Sequence, residues 1–213
     1  AAAQPLAEAS VGRLAAAASR VLQANGESVM GRMVADSILA ATQDETAGGA
    51  QLALMNSGGV RADLVPAADG SVNYGQLFSV QPFGNTLMVM SLTGAQLHQA
   101  LEQQFASGTN TVDAPRILQV SSGFSYRFDR SQPAGQRVSE MRLNGQLLAP
   151  AQSYRVGMQS YLGTGGDNFS VFTEGKDVVG GMLDLDALVA YIRAQSQHGP
   201  MLLPLQERIA RIH

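Results

Sequence analysis

Three short stretches of this chain combine glycine with polar or aromatic side chains where an apolar run stops or starts. Asn56-Ser-Gly-Gly-Val-Arg61 follows one such run. Paired glycines allow a backbone to approach a ligand closely, and exposed N–H groups there can receive an anion. Arg61 would add a forked, permanently charged donor; taken alone, the segment is also simply a turn with a surface arginine. Pro82-Phe83-Gly84-Asn85 sets an aromatic beside a short amide, which suits ring stacking plus hydrogen bonding to a planar ligand. A turn with Phe83 plugged into the core accounts for the same letters. Tyr161-Leu-Gly-Thr-Gly-Gly-Asp167-Asn-Phe169 is the most informative stretch, with glycine at three of the four positions 163–166. So many glycines cost chain entropy that an ordinary hairpin does not need. A carboxylate held by such a loop can accept two hydrogen bonds from vicinal hydroxyls, as in a ribose grip. One carboxylate makes calcium the weaker reading, and a purely structural turn stays open. Ser121-Ser122-Gly123 reads as a tight or bulged turn between strands.

Other chemistry lacks its residues. A two-metal hydrolase needs several His and Asp ligands converging on ions about 3.5–4 Å apart, and the chain has only His98, His198 and His213. Solvated surface histidines are the simpler reading of all three. With no cysteine, disulfides, thiolate metal sites and a thiol nucleophile are excluded. Nucleophile-elbow, His-Glu-x-x-His and Walker motifs are absent too. The sequence therefore predicts no catalytic centre, no metal site and no cofactor in these residues. Met30, Met33, Met88 and Met90 fall at helix or strand spacings and read as gap-filling core.

The elements that must position these stretches can be read from periodicity and caps. Ser28 precedes apolar residues 30, 33, 34, 38 and 39, which predicts an amphipathic helix to about Ala41. Thr93 and Gln96 form a capping box opening a helix with Leu97, Ala100, Leu101 and Phe105 on its buried face. Leu183–Ala194 is a further helix, and the Ala-rich Val11–Leu22 reads helical by propensity. Strands are expected at Gln51–Met55, Thr86–Leu92, Ile117–Val120, Phe124–Phe128, Val138–Leu143, Leu147–Leu148, Tyr154–Leu162 and Glu207–Ile212. Asn144-Gly145 supplies a two-residue hairpin turn. Alternating strands and helices with hairpins predict an α+β fold, mixed-sheet α/β layers rather than a parallel sheet.

The chain has 213 residues, 45% hydrophobic, with 14 basic against 17 acidic side chains and a net charge of −3. That composition buries a proper core, and it carries no basic stripe for a nucleic-acid polymer. No apolar stretch approaches the roughly 20 residues of a membrane span, so the chain reads as soluble. Residues 1–10 read as a linker or an artificial chain boundary without signal-peptide features, and residues 11–213 as one domain.

The order of these motifs resembles the C-terminal domain of 5′-nucleotidases, in its bacterial branch. Asn-x-Gly-Gly-x-Arg, Pro-Phe-Gly-Asn with a hydrophobic strand and Leu-Thr-Gly, Ser-Ser-Gly-Phe and Gly-Gly-Asp-x-Phe follow one another across nearly the whole chain. The opening Val11-Gly12, Arg20 and Gly26-Glu-Ser28 with Ala35-Asp36 fit the same branch. The resemblance implies a substrate-binding domain in which Phe83 and Tyr161 sandwich a nucleobase. Asn56 and Arg61 would hold the phosphate and ribose side, Asn85 and Gly123 would line the base pocket, and Asp167 would take the ribose hydroxyls. Departures accompany the match. The family's arginine seven residues before the glycine at Gly31 is Ala24 here, with Arg20 as its implied substitute. The second sandwich residue, usually Phe, is Tyr161, and Gln159 stands where Asn is common.

The resemblance further implies that hydrolysis of nucleotide phosphate esters or anhydrides takes place on an N-terminal metallophosphoesterase domain with two divalent metal ions. Its motifs do not occur in this sequence, so the chain is expected to be inactive alone, to bind a small nucleotide or nucleoside, and to contact that domain. A periplasmic or extracellular location is implied. A free-standing, non-catalytic nucleoside-binding module and a family hydrolase with another substrate are the alternatives.

Overall fold

The computed structural model describes residues 6–213. Along the chain come β1 (Ser10–Arg13), α1 (Val29–Thr42), β2 (Leu52–Asn56), β3 (Ser71–Asn73), α2 (Tyr74–Val80), β4 (Thr86–Thr93), α3 (Gly94–Gln103) and β5 (Leu118–Val120). There follow β6 (Phe124–Phe128), β7 (Val138–Leu143), β8 (Gln146–Leu147), β9 (Ser153–Gln159), the one-turn α4 (Ser160–Gly163), β10 (Lys176–Leu183), α5 (Asp184–Gln195) and β11 (Ile209–Arg211).

Local chemistry explains many of these boundaries. The Ser28 hydroxyl accepts the Gly31 N–H at 2.9 Å and starts α1. Thr93 and Gln96 close both bonds of the predicted capping box at the head of α3. Asn73 and Gln76 form a second such box at α2. At the β7–β8 hairpin, Asn144 and Gly145 both take positive φ, 51° and 82°, the conformation of a type I′ turn.

Among the described residues the strands fall into three sheets: β10-β4-β9-β2-β5, β11-β6-β7-β8, and the pair β1-β3. The large sheet is mixed: β2 and β9 run parallel, while every other neighbouring pair in it is antiparallel. Its strands β9, β2 and β5 are buried on both faces, while the edge strand β10 is exposed. Leu52, Leu54, Leu92, Val156 and Met158 pack with Leu97, Leu101 and Phe105 and with Phe124, Tyr126 and Phe128 of the four-stranded sheet. Ala53, Met55 and Leu87 join Met30, Met33, Val34 and Ile38 of α1 and Leu185, Leu188 and Ile192 of α5 on the other side. Helices, mixed sheet, then helix and second sheet give the layered α+β architecture that the alternating pattern predicts. Each large side chain so buried contributes about 1.5–3 kcal/mol.

Several expectations change. Val11–Leu22 is extended, not helical. Its N–H groups at Leu14, Ala15 and Ala18 are taken by the carbonyls of Gly70, Met201 and Leu64, so distant partners override the alanine propensity. Tyr154–Leu162 is a strand only to Gln159, and α4 then carries Tyr161. Of the segment read as a linker, residues 1–5 lie outside the described residues. Ala9 already accepts the Tyr74 N–H at 3.0 Å, and Ser10 begins β1. Met88 is partly buried, while Met30, Met33 and Met90 are core as expected. His98 is half-buried, its Nε2 3.1 Å from the Val138 carbonyl, while His198 and His213 are exposed.

Candidate functional site

The register of the large sheet decides which side chains meet. β2 and β9 run parallel and end side by side at Asn56 and Gln159. β4 is antiparallel to β9 with Leu87 opposite Gln159, so Asn85 and Phe83 precede its first residues at that same edge. β10 pairs Leu183 with Thr86, which delivers Asp184 there. β5 pairs Leu118 with Asn56, which brings Arg116 close. Ligands of open α/β sheets commonly bind at the carboxyl ends of parallel strands.

At that edge lies a cleft of about 370 Å³ lined by Asn56, Gly58, Gly59, Arg61, Phe83, Asn85, Arg116, Gln159, Tyr161 and Asp167. Its two aromatic rings are left open, Phe83 being 58% and Tyr161 46% exposed. The core position that the sequence allowed for Phe83 is thereby excluded. The Arg61 guanidinium carbon stands 5.8 Å from the centre of the Phe83 ring, within cation–π range, and its Nη1 donates to the Gly58 carbonyl at 3.1 Å.

Asp167 is held from three sides. Asn56 Nδ2 donates to its Oδ2 at 2.8 Å, the Tyr161 hydroxyl to its Oδ1 at 3.0 Å, and Arg116 Nη1 lies 3.8 Å from Oδ1. The loop around it leaves ordinary backbone space, with Gly165, Asp167 and Asn168 at φ of 91°, 53° and 66°. Only glycine enters that region without steric cost, which accounts for Gly165, while at Gly163 and Gly166 a Cβ would collide with Met88 and Tyr161.

Behind the cleft wall sits Asp184, 1% exposed. Gln159 Nε2 donates to its Oδ2 at 2.7 Å, Asn85 Nδ2 approaches the same oxygen at 3.4 Å, and the Leu185 N–H meets Oδ1 at 2.8 Å. Burial pushes its carboxyl above the ordinary value of 3.8, against the opposing pull of hydrogen bonds from Leu185 and Asn85.

Six of the sequence-predicted residues, Asn56, Arg61, Phe83, Asn85, Tyr161 and Asp167, thus share one cleft. Gly123 does not. It sits at φ 83° in the β5–β6 turn, beside Ser121, whose hydroxyl accepts the Ala53 N–H at 2.8 Å. Because β5 is antiparallel to β2, that turn lies toward the start of β2, away from Asn56. Gly123 instead borders a depression of about 740 Å³ formed with Leu202–Arg208. Arg20 is exposed and outside the cleft lining; its backbone N–H donates to Asp63 at 2.7 Å.

Arg116 and Asp184 were not singled out from sequence. Arg116 follows an Ala-Pro pair with no motif around it, and Asp184 has the look of an ordinary acidic residue in a helix's first turn. Their signal was the register of β5 and β10. Among the described residues no three His, Cys, Asp or Glu side chains gather so as to hold a metal ion.

Layered mixed sheets with an open aromatic cleft at the strand ends thus define an α+β domain. The chain belongs to the family of the 5′-nucleotidase C-terminal domain, whose profile matches residues 6–174. It is 38% identical over 154 residues to the trifunctional nucleotide phosphoesterase YfkN of Bacillus subtilis, covering 70% of this chain and 10% of that protein. Identity to the cell wall protein Lmo0130 of Listeria monocytogenes is 32%, over 85% of this chain and 23% of that one. Among solved structures, the 5′-nucleotidase precursor of Thermus thermophilus superposes with a TM-score of 0.82 at 31% identity, over 99% of this chain and 41% of its own. The chain thus spans a minor part of the length of each of these relatives.

Proposed function

We propose that this domain binds the nucleoside part of a nucleotide and presents its phosphate to a two-metal centre on an N-terminal metallophosphoesterase domain of the same protein. The observation that carries the reading is the cleft with two exposed rings, Phe83 and Tyr161, beside an anchored carboxylate and two arginines. A base stacked on such rings gains about 1–3 kcal/mol, and stacking tolerates several bases. Asp167 takes the ribose hydroxyls. Its oxygens already accept from Asn56 and Tyr161, yet each carboxylate oxygen has a second acceptor site. Asn56 and Arg61 hold the phosphate and ribose side, Arg116 adds a second cation, and Asn85 faces the base. Gly123 and Arg20, placed elsewhere, take no part in this reading.

Hydrolysis of the phosphate ester or anhydride then belongs to the metal domain, with its two divalent ions. The small share of each relative that the chain covers supports such a second domain. An exported setting, periplasm or cell wall, accords with the name of the Listeria relative.

Titration calorimetry of the chain with adenosine, paired with a phosphate-release assay on AMP in manganese or zinc, tests the proposal. Adenosine should bind, Phe83→Ala should weaken it, and phosphate release should not exceed background. Absence of any binding heat at millimolar adenosine, or robust AMP hydrolysis by this chain, would overturn it.

A further inference from the structure

Three cleft residues carry side-chain amides, and each turns its NH2 end to a carboxylate with one N–H bonded to it. Gln159 Nε2 and Asn85 Nδ2 reach Asp184 Oδ2 at 2.7 and 3.4 Å, and Asn56 Nδ2 reaches Asp167 Oδ2 at 2.8 Å. A carboxylate accepts hydrogen bonds, so it dictates which end of an amide faces it. The carbonyl ends of Gln159 and Asn85 are thereby turned away from Asp184. Asn56 Oδ1 is buried with no hydrogen-bond partner. A Cβ placed on Gly59, in the cleft wall, would run into the Met55 methyl, with that oxygen 3.1 Å and Gln159 Oε1 3.4 Å away. These two carbonyl oxygens therefore flank Gly59 in the cleft wall, the Asn56 oxygen as a buried, unpaired acceptor, which is unfavourable.

Asp184 is what makes this polarity rigid. It opens α5, is 1% exposed, and its other oxygen is tied to the Leu185 N–H at 2.8 Å. Turning either amide over would place a carbonyl oxygen against this carboxylate. Asn85 lies two residues after Phe83, and Gln159 two residues before Tyr161. The amide pair therefore stands beside the rings, where the edge of a stacked base would come.

We infer that Asp184 is a positioning residue that fixes the Gln159 and Asn85 amides with their carbonyl oxygens toward the ligand, so that the cleft selects bases carrying N–H donors, an exocyclic amino group above all. This rests on the nucleoside reading and deepens it: the rings accept any planar base, and the amides sort bases by their edges.

Calorimetry with adenosine and with purine riboside, which lacks only the amino group, tests the inference. Adenosine should bind roughly tenfold more tightly, about 1.4 kcal/mol. Asp184→Asn, which donates as well as accepts and so releases the amide orientation, should compress that ratio to about twofold or less while purine riboside affinity moves under about threefold. Gln159→Met removes the carbonyl and leaves Asp184 in place, so it should compress the ratio too if Asp184→Asn fails to fold. In the nitrogen-15 spectrum of a folded Asp184→Asn chain, the Gln159 side-chain amide signals should shift. Equal affinity of the unaltered chain for both nucleosides, or a ratio preserved in the variants, overturns the inference and leaves the nucleoside reading standing. Failure of the unaltered chain to bind either nucleoside overturns both.

Discussion

Asn56 and Asp167 are 111 positions apart and joined by a 2.8 Å hydrogen bond from Nδ2 to Oδ2. That bond fastens the glycine-rich loop to the end of the buried strand β2. Asp167 pays a left-handed backbone, φ 53°, for its position, at about 1–3 kcal/mol. Asn110 Nδ2 adds a tie to its carbonyl oxygen at 2.8 Å. A carboxylate positioned in advance spares a ligand the cost of ordering the loop.

Asn56→Asp should break this arrangement. Asn56 is 6% exposed, and the substitution sets two carboxylates at hydrogen-bond distance, where one must hold a proton. The expected loss is about 2–3 kcal/mol of stability at neutral pH. It should shrink as the pH is lowered, because protonation lets the pair share a hydrogen bond. Urea unfolding near pH 7 and near pH 4 reads it; an equal loss at both would contradict the argument.

Phe83→Ala and Tyr161→Ala should each weaken adenosine binding by about 1–3 kcal/mol, read by calorimetry. Tyr161→Phe separates ring from hydroxyl. It keeps the stack and removes the 3.0 Å bond to Asp167 Oδ1, so binding should fall by no more than about 1 kcal/mol. If Tyr161→Phe weakens binding as much as Tyr161→Ala, the hydroxyl and not the ring is the contact.

Much of the fold was legible where the signal is local. Ser28, the Thr93–Gln96 box and Asn144-Gly145 each act within a few residues, and the structure uses all three as the sequence indicates. Val11–Leu22 was misread because the carbonyls that take its N–H groups lie far away in sequence. β10 was missed because Gly180-Gly181 interrupts it and every residue is exposed at a sheet edge, so no alternation shows. In the cleft, glycine punctuation exposed the loops bearing Asn56, Phe83 and Asp167. Nothing near Arg116 or Asp184 marks them, since strand register alone brings them there.

Arg208→Ala should destabilise the whole domain. Arg208 forms a two-pronged pair with Asp36 at 2.8 and 2.7 Å and also donates to the Val120 carbonyl at 2.7 Å. It thereby binds the segment before β11 to α1 and β5. The side chains are only 11% and 8% exposed, so removing one partner strands a largely buried charge, at about 3–5 kcal/mol. Chemical denaturation measures it, and a loss below about 1 kcal/mol would show that the pair is effectively solvated.

Asp184 should also give the domain a distinctive pH response. Burial, the largest influence, raises its carboxyl above 3.8, so the native state holds this proton more tightly than the unfolded chain does. Stability rises with pH only where the unfolded state binds more protons; here the sign is opposite. Below 3.8 both states are protonated and Asp184 contributes no slope. Above it the unfolded chain ionises first and stability declines, until the native carboxyl has ionised as well. Asp44, Asp69 and Asp129, lowered mainly by hydrogen bonds from Thr46, Ser71 and Ser131, act in the other direction, their contributions fading as pH falls below 3.8. They are shared by an Asp184→Asn variant and cancel in the difference between the two proteins. Unfolding free energies measured from about pH 3 to about pH 7 should therefore show the unaltered chain losing ground to Asp184→Asn as pH rises from 3.8, then a constant gap. A gap that is flat throughout, or that moves in favour of the unaltered chain, would mean that the hydrogen bonds to Asp184 outweigh its burial.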